Sequence, residues 1–156
     1  SGKSTIGRRV ASALNLPIVD SDVLIEQAKN KPCGEVYAEL GEEAFRELEV
    51  EYVARALATG GVVSLGGGAV VTEKVRQLLK RHTVVWIDVS ADEGIRRTAD
   101  DASRPVLAAD DREQRYRDLM AQRESFYREV ATFRVRTDER PPQRLVAEVL
   151  GFIDTE

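Results

Sequence analysis

Several short stretches of this chain carry groups that can bind or move a phosphoryl group. Gly2-Lys3-Ser4-Thr5 matches the end of the phosphate-binding pattern G-x-x-x-x-G-K-[ST]. In that pattern backbone amides cradle phosphates, the Lys pairs with the β/γ-phosphates, and the hydroxyl reaches Mg²⁺. Asp20-Ser21-Asp22 places two carboxylates two residues apart. One of them suits Mg²⁺ or its waters and the other an acceptor hydroxyl, although a turn with a helix cap accounts for the same residues. Gly66-Gly67-Gly68 removes three consecutive Cβ atoms. Backbone N–H groups can then approach an anion closely, or the stretch is a flexible turn.

Arginines supply the complementary charge. On the charged segment from Asp111 to Arg128, the pairs Asp111–Arg115, Glu113–Arg117 and Glu124–Arg128 sit at i,i+4 and define a solvated face. Tyr116, Leu119, Met120 and Tyr127 mark the expected buried stripe, and Arg123 falls in phase with it. An inward guanidinium needs an anion, either a structural carboxylate or a ligand. Glu49 is in phase with Phe45 and Tyr52 and three residues after Arg46. It can orient that Arg toward a substrate, or form an ordinary helix pair. His82 and Trp86 read as edge and packing residues, and Cys33 as a small loop residue between Pro32 and Gly34.

The elements that must position these groups alternate between helix and strand. Ile6, Val10 and Leu14 space a helix after the glycine-lysine loop, and Leu16–Val19 is a short apolar strand. Ser21 is the expected cap of a helix over 22–28, before a break rich in Lys, Pro and Gly. A long helix over 42–57 stops at Gly60-Gly61. Strands follow at 62–65 and 83–89, with helices at 73–80 and 91–98. A polar loop covers 99–110, a helix 111–128, a last strand 132–136, and a closing helix starts at Pro142. Continuous apolar strands between helices predict an α/β protein with a parallel sheet covered on both faces. Ligands of such sheets sit beyond the strand carboxyl ends, where the glycine-lysine loop, Asp20–Asp22, Gly66–Gly68 and the Arg104 loop would converge.

Composition narrows the class. The chain has 156 residues, enough for one domain, with 42% hydrophobic and 32% charged residues. A net charge of −4 argues against a nucleic-acid surface. The single cysteine forms no internal disulfide and fits a reducing, cytoplasmic setting. No apolar run approaches a membrane span.

Taken in order, Gly2-Lys3-Ser4-Thr5, Asp20-x-Asp22, Phe45-Arg46-x-x-Glu49, Gly66-Gly67-Gly68, Arg104-Pro105-Val106-Leu107 and the inward Arg123 resemble the shikimate kinase family across nearly the whole chain. The resemblance implies a P-loop three-layer α/β/α sandwich with five parallel strands in the order 2-3-1-4-5. It also implies a single kinase domain over 1–156, with a shikimate-binding segment at about 21–58 and a lid at about 99–110. ATP and Mg²⁺ would be the cofactors and shikimate the partner, on a monomer that needs neither nucleic acid nor membrane.

Residue by residue, the resemblance assigns the nucleotide to Gly2, Lys3, Ser4, Thr5, Arg97, Arg104 and Arg140. It assigns Mg²⁺ to Ser4 and Asp20. Asp22 would bind ring hydroxyls and act as base toward the 3-hydroxyl, while Lys3 and Arg104 stabilise the transferring group. Arg46 and Arg123 would clamp the carboxylate, and Gly66, Gly67 and Gly68 would bring backbone to the substrate. The same reading takes Ser1 as internal to a longer protein, with about a dozen residues and the first strand in front of it. Gluconate kinases and nucleoside monophosphate kinases share the scaffold, and a non-catalytic nucleotide-binding module is the alternative from another class. The Asp pair, Phe45-Arg46-x-x-Glu49 and the triple glycine disfavour a gluconate kinase, and the acceptor site of a nucleoside monophosphate kinase must also handle a phosphate and a base.

Overall fold

The computed structural model describes residues 2–88, 109–137 and 140–154. They fall into two units, Gly2–His82 and the described residues after it.

The first unit begins with α1 (Gly2–Leu14), which buries Ile6, Val10 and Ala11 along one face. It ends at Asn15, whose φ of 57° turns the chain out of the helix. Strand β1 (Ile18–Asp20) pairs in parallel with β2 (Val62–Ser64), in the register Ile18↔Val62, Val19↔Val63, Asp20↔Ser64. The Val62 N–H donates to the Pro17 carbonyl at 2.8 Å. Gly61 is required there, because a Cβ would stand 2.4 Å from the same oxygen.

Three helices connect the strands: α2 (Ser21–Lys29), α3 (Cys33–Leu40) and α4 (Glu42–Leu57). Two expectations fail here. The cap of α2 is Asp20, not Ser21: Asp20 Oδ1 accepts the N–H groups of Asp22 at 2.8 Å and Val23 at 3.3 Å. Ser21 is instead fully buried. And Cys33 lies in no loop, but opens α3 directly after Pro32. Proline tolerates a helix start because the first turn has no intrahelical use for its missing N–H. The Glu26 carboxylate accepts the Cys33 N–H at 2.9 Å, and a Lys31–Glu39 pair brackets the helix at 2.8 Å. That exposed pair contributes up to about 1 kcal/mol. Ile25, Val36 and Phe45 pack as one buried cluster from α2, α3 and α4. Burial stabilises by about 1.5–3 kcal/mol per side chain, so the cluster holds the three helices together. A 3₁₀ turn (Ala69–Val71) and α5 (Glu73–Leu79) close the unit, burying Val75 and Leu79.

The second unit pairs β3 (Val85–Asp88) with β4 (Phe133–Arg136), again in parallel. Both pairings are those that the order 2-3-1-4-5 requires of these strands. Arg134 donates from Nε (2.9 Å) and Nη2 (2.5 Å) to Asp88 Oδ2, tying the strands side to side. Its guanidinium lies 4.3 Å from the Trp86 ring centroid, and the Tyr127 ring packs 5.5 Å away. Trp86 is a packing residue, as its place in a strand predicts.

Helix α6 (Ala109–Val130) runs longer than the spacing indicates and takes in the last two residues of the expected lid. Its Glu113–Arg117 and Glu124–Arg128 pairs form at 3.0 and 2.5 Å. The predicted stripe needs one correction: Leu119 is exposed. Met120, Arg123, Phe126, Tyr127 and Val130 are half-buried at the 3–4 residue spacing of one face. Leu119 sits about 100° away around the helix. The unit ends in α7 (Pro142–Asp154), with Pro142 first and Leu145, Val146 and Val149 buried.

Candidate active site

In the first unit the carboxyl ends of β1 and β2 bring two acids and a glycine-rich turn together. Asp20 ends β1, and Asp22 lies in the first turn of α2. Gly66 follows β2 so closely against Asp22 that a Cβ would stand 2.6 Å from its Oδ2. A side chain at this position would make the Asp22 carboxylate shift from where it lies.

Arg46 and Glu49 lie one helical turn apart on α4, with Glu49 Oε1 2.8 Å from Arg46 Nη1. Glu49 is 2% exposed, and a carboxylate so buried calls for a paired partner. The pairing uses Nη1 alone. Arg46 Nε is buried and has no hydrogen-bond partner among the described residues. Nε belongs to the other edge of the guanidinium, a fork that can donate two parallel bonds to a carboxylate. The rings of Tyr37 and Phe45, whose centroids lie 6.0 and 5.7 Å from the guanidinium carbon, flank the group. Tyr37 went unrecognised in the sequence because Pro32-Cys33-Gly34 reads as a break and hides α3.

Cys33 shows how tightly the acids cluster. Burial first, then the charges of Asp22, Glu26, Asp20 and Glu49, push its thiol from 9.0 up to about 12. Its Sγ–H donates to the Asp22 carbonyl at 3.4 Å. The native state therefore keeps a proton that the unfolded chain releases near pH 9. The stability gained from the thiol is full below that pH and falls as pH rises toward 12. At pH 9, native Cys33 is expected to react with iodoacetamide on the order of a hundredfold more slowly than the urea-unfolded chain. An inflection near pH 9 in the native rate profile would contradict this environment.

The other expected site residues are spread more widely. Gly2, Lys3, Ser4 and Thr5 form the first turn of α1. Gly67 is exposed and Gly68 half-buried before the 3₁₀ turn. Arg97, Arg104 and the 99–108 part of the lid lie outside the described residues. In the second unit, Arg123 has a buried Nε with no hydrogen-bond partner among the described residues. Arg140 Nη1 is paired with Glu148 Oε2 at 2.5 Å, and its Nη2 donates to the Arg136 carbonyl. A role toward nucleotide would have to share the guanidinium with these partners.

For a divalent cation, the described residues offer no cluster of three or more acid, imidazole or thiol groups. Mg²⁺ needs none, since it keeps waters and binds through one or two carboxylates and phosphates. Asp20 fits that use, both of its helix-cap hydrogen bonds falling on Oδ1. Its register partner Ser64 adds a buried hydroxyl without a hydrogen-bond partner among the described residues. No helix among the described residues is long and apolar enough to cross a membrane.

Parallel strands with acids and glycine backbone beyond their carboxyl ends define an α/β protein of the class whose ligands sit at that edge. The chain belongs to the shikimate kinase family, whose model matches residues 1–154. It is 61% identical to the shikimate kinase of Corynebacterium diphtheriae over 155 residues, 99% of this chain and 90% of that protein. It is 50% identical over 152 residues to the shikimate kinase of Mycobacterium tuberculosis, covering 97% of this chain and 86% of that one. Among solved structures, the shikimate kinase of Acinetobacter baumannii in complex with shikimate superposes with a TM-score of 0.86. It is 32% identical, covering 99% of this chain and 87% of that one.

Proposed function

We propose that this chain transfers the γ-phosphoryl group of ATP to the 3-hydroxyl of shikimate, giving shikimate 3-phosphate and ADP in aromatic amino-acid biosynthesis. The observation that carries the reading is the Arg46 guanidinium. One edge is fixed by buried Glu49, and on the other a buried Nε has no partner among the described residues. That is the arrangement a small carboxylate requires. Arg123, with its own unpartnered Nε, is assigned the same carboxylate.

Asp22 binds the ring hydroxyls and takes the proton of the attacking 3-hydroxyl as it bonds to phosphorus, while the bond to the ADP oxygen breaks. Gly66 admits the Asp22 carboxylate, and Gly67 and Gly68 bring backbone N–H groups to the substrate and the γ-phosphate. Lys3 pairs with the β/γ-phosphates, with Gly2 and Thr5 beside it, and Arg97, Arg104 and Arg140 serve the nucleotide. Ser4 and Asp20 would hold Mg²⁺, which when bound would supply neutralisation of phosphate charge. Phosphoryl transfer depends on alignment and such neutralisation more than on covalent help. The two units act as a single kinase domain, monomeric and cytoplasmic.

ADP release from MgATP tests the reading, with shikimate, gluconate and nucleoside monophosphates offered separately. Release is expected with shikimate alone. Release with gluconate or a nucleotide instead would overturn the acceptor, and release with none of them the kinase.

A further inference from the structure

Three glycines in succession have more backbone freedom than any other tripeptide, yet a loop that presents its amides to a ligand must be held in one conformation. At its start the loop continues from β2 and lies against Asp22. Its far end is bound to the 3₁₀ turn: the Ala69 N–H donates to the Gly66 carbonyl at 3.1 Å, and the Val71 N–H to that of Gly68 at 3.2 Å. A three-residue 3₁₀ turn has strained hydrogen bonds and is a weak anchor by itself.

Arg76 reinforces it from α5. Its Nη1 donates to the Val70 carbonyl at 2.7 Å and the Val71 carbonyl at 3.0 Å, bridging the last two residues of the turn. The N–H groups of Val75 and Arg76 both donate to the Thr72 carbonyl, so the guanidinium reaches back across the first turn of its own helix. Both ends of this clamp are set in the core: Ala69 and Val75 are fully buried and Val70 nearly so. A charged donor to two carbonyls is stronger than either bond within the turn.

We propose that Arg76 is a positioning residue for acceptor binding, its guanidinium locking the turn that holds Gly66–Gly68 in the conformation that meets shikimate. The proposal rests on the reading of those glycines as a shikimate contact. Arg76→Met keeps the length of the side chain and removes its donors. Arg76→Lys keeps one cationic donor head.

Steady-state kinetics would be measured in both substrates, with hydrogen–deuterium exchange of the amides in 66–72 and in α1 and α4. Arg76→Met is expected to raise the shikimate KM about tenfold and leave ATP affinity within about twofold. Exchange should speed up in 66–72 and stay unchanged in α1 and α4. Arg76→Lys should recover more than half of the loss. If the Met variant fails to fold, the Lys variant carries the test, with the same selective pattern at about threefold. Unchanged exchange in 66–72 overturns the clamp itself. Faster exchange there with an unchanged shikimate KM overturns its premise, the glycine contact, and leaves the kinase reading standing. Faster exchange throughout the unit overturns the positioning role in favour of a general structural one.

Discussion

Replacing Asp22 by Asn is expected to lower turnover by about 10²–10⁴-fold, the range that a positioned general base contributes. The substitution conserves shape, so the close approach of Gly66 is undisturbed and the fold should survive. What disappears is the negative charge and the ability to take a proton. Nucleotide affinity, measured calorimetrically with ADP, should stay within about twofold, because other residues are assigned to the phosphates. The same sample contains an internal control. Asp22 is the foremost of the charges that raise the Cys33 thiol, after burial, so the variant should bring the alkylation midpoint down from about 12. A turnover within threefold of the parent, with that midpoint lowered, would show that the Asp22 charge lies beside Cys33 and that Asp22 is not the base.

The second large effect falls on Glu49. Converting it to Gln removes the charge that neutralises Arg46 and leaves a guanidinium only 19% exposed. Breaking a buried pair on one side costs about 3–5 kcal/mol, and the partial exposure of Arg46 places the expected loss near the lower end, about 3 kcal/mol in urea unfolding. Glu51→Gln is the comparison. Its Arg55 partner is 61% exposed, and its loss should stay below about 1 kcal/mol. Glu49 also sets which edge of Arg46 is left for a ligand. The shikimate KM should therefore rise about tenfold, with the ATP KM little changed. A stability loss with no change in shikimate KM would leave Glu49 a purely structural partner and remove Arg46 from the carboxylate site.

The sequence by itself determined what depends on near neighbours. The 3.6-residue spacing of Phe45, Tyr52 and Ala56 placed α4 to the residue, and Glu113–Arg117 and Glu124–Arg128 pair on α6 at their four-residue spacing. Helix–strand alternation was enough for a parallel α/β class, and motifs in order were enough for the family. Local chemistry also turned Glu49 inward, because a helix face is a property of spacing alone.

Tertiary structure decided everything that rests on residues far apart along the chain. Whether Asp20 or Ser21 caps α2 depended on where β1 ends. The start of α3 at Cys33 depended on a Glu26 acceptor and on the Ile25–Val36–Phe45 cluster. Leu119 was placed on the wrong face because a charged helix with few apolar residues gives its stripe no sharp edge. Arg140 found Glu148 and a backbone carbonyl, partners that its immediate neighbours do not announce. The meeting of Gly66 with Asp22 and the grip of Arg76 on the 3₁₀ turn are both distances between side chains and backbone. A pattern of residue types records which groups are present and which way they face, and only packing sets how close they come.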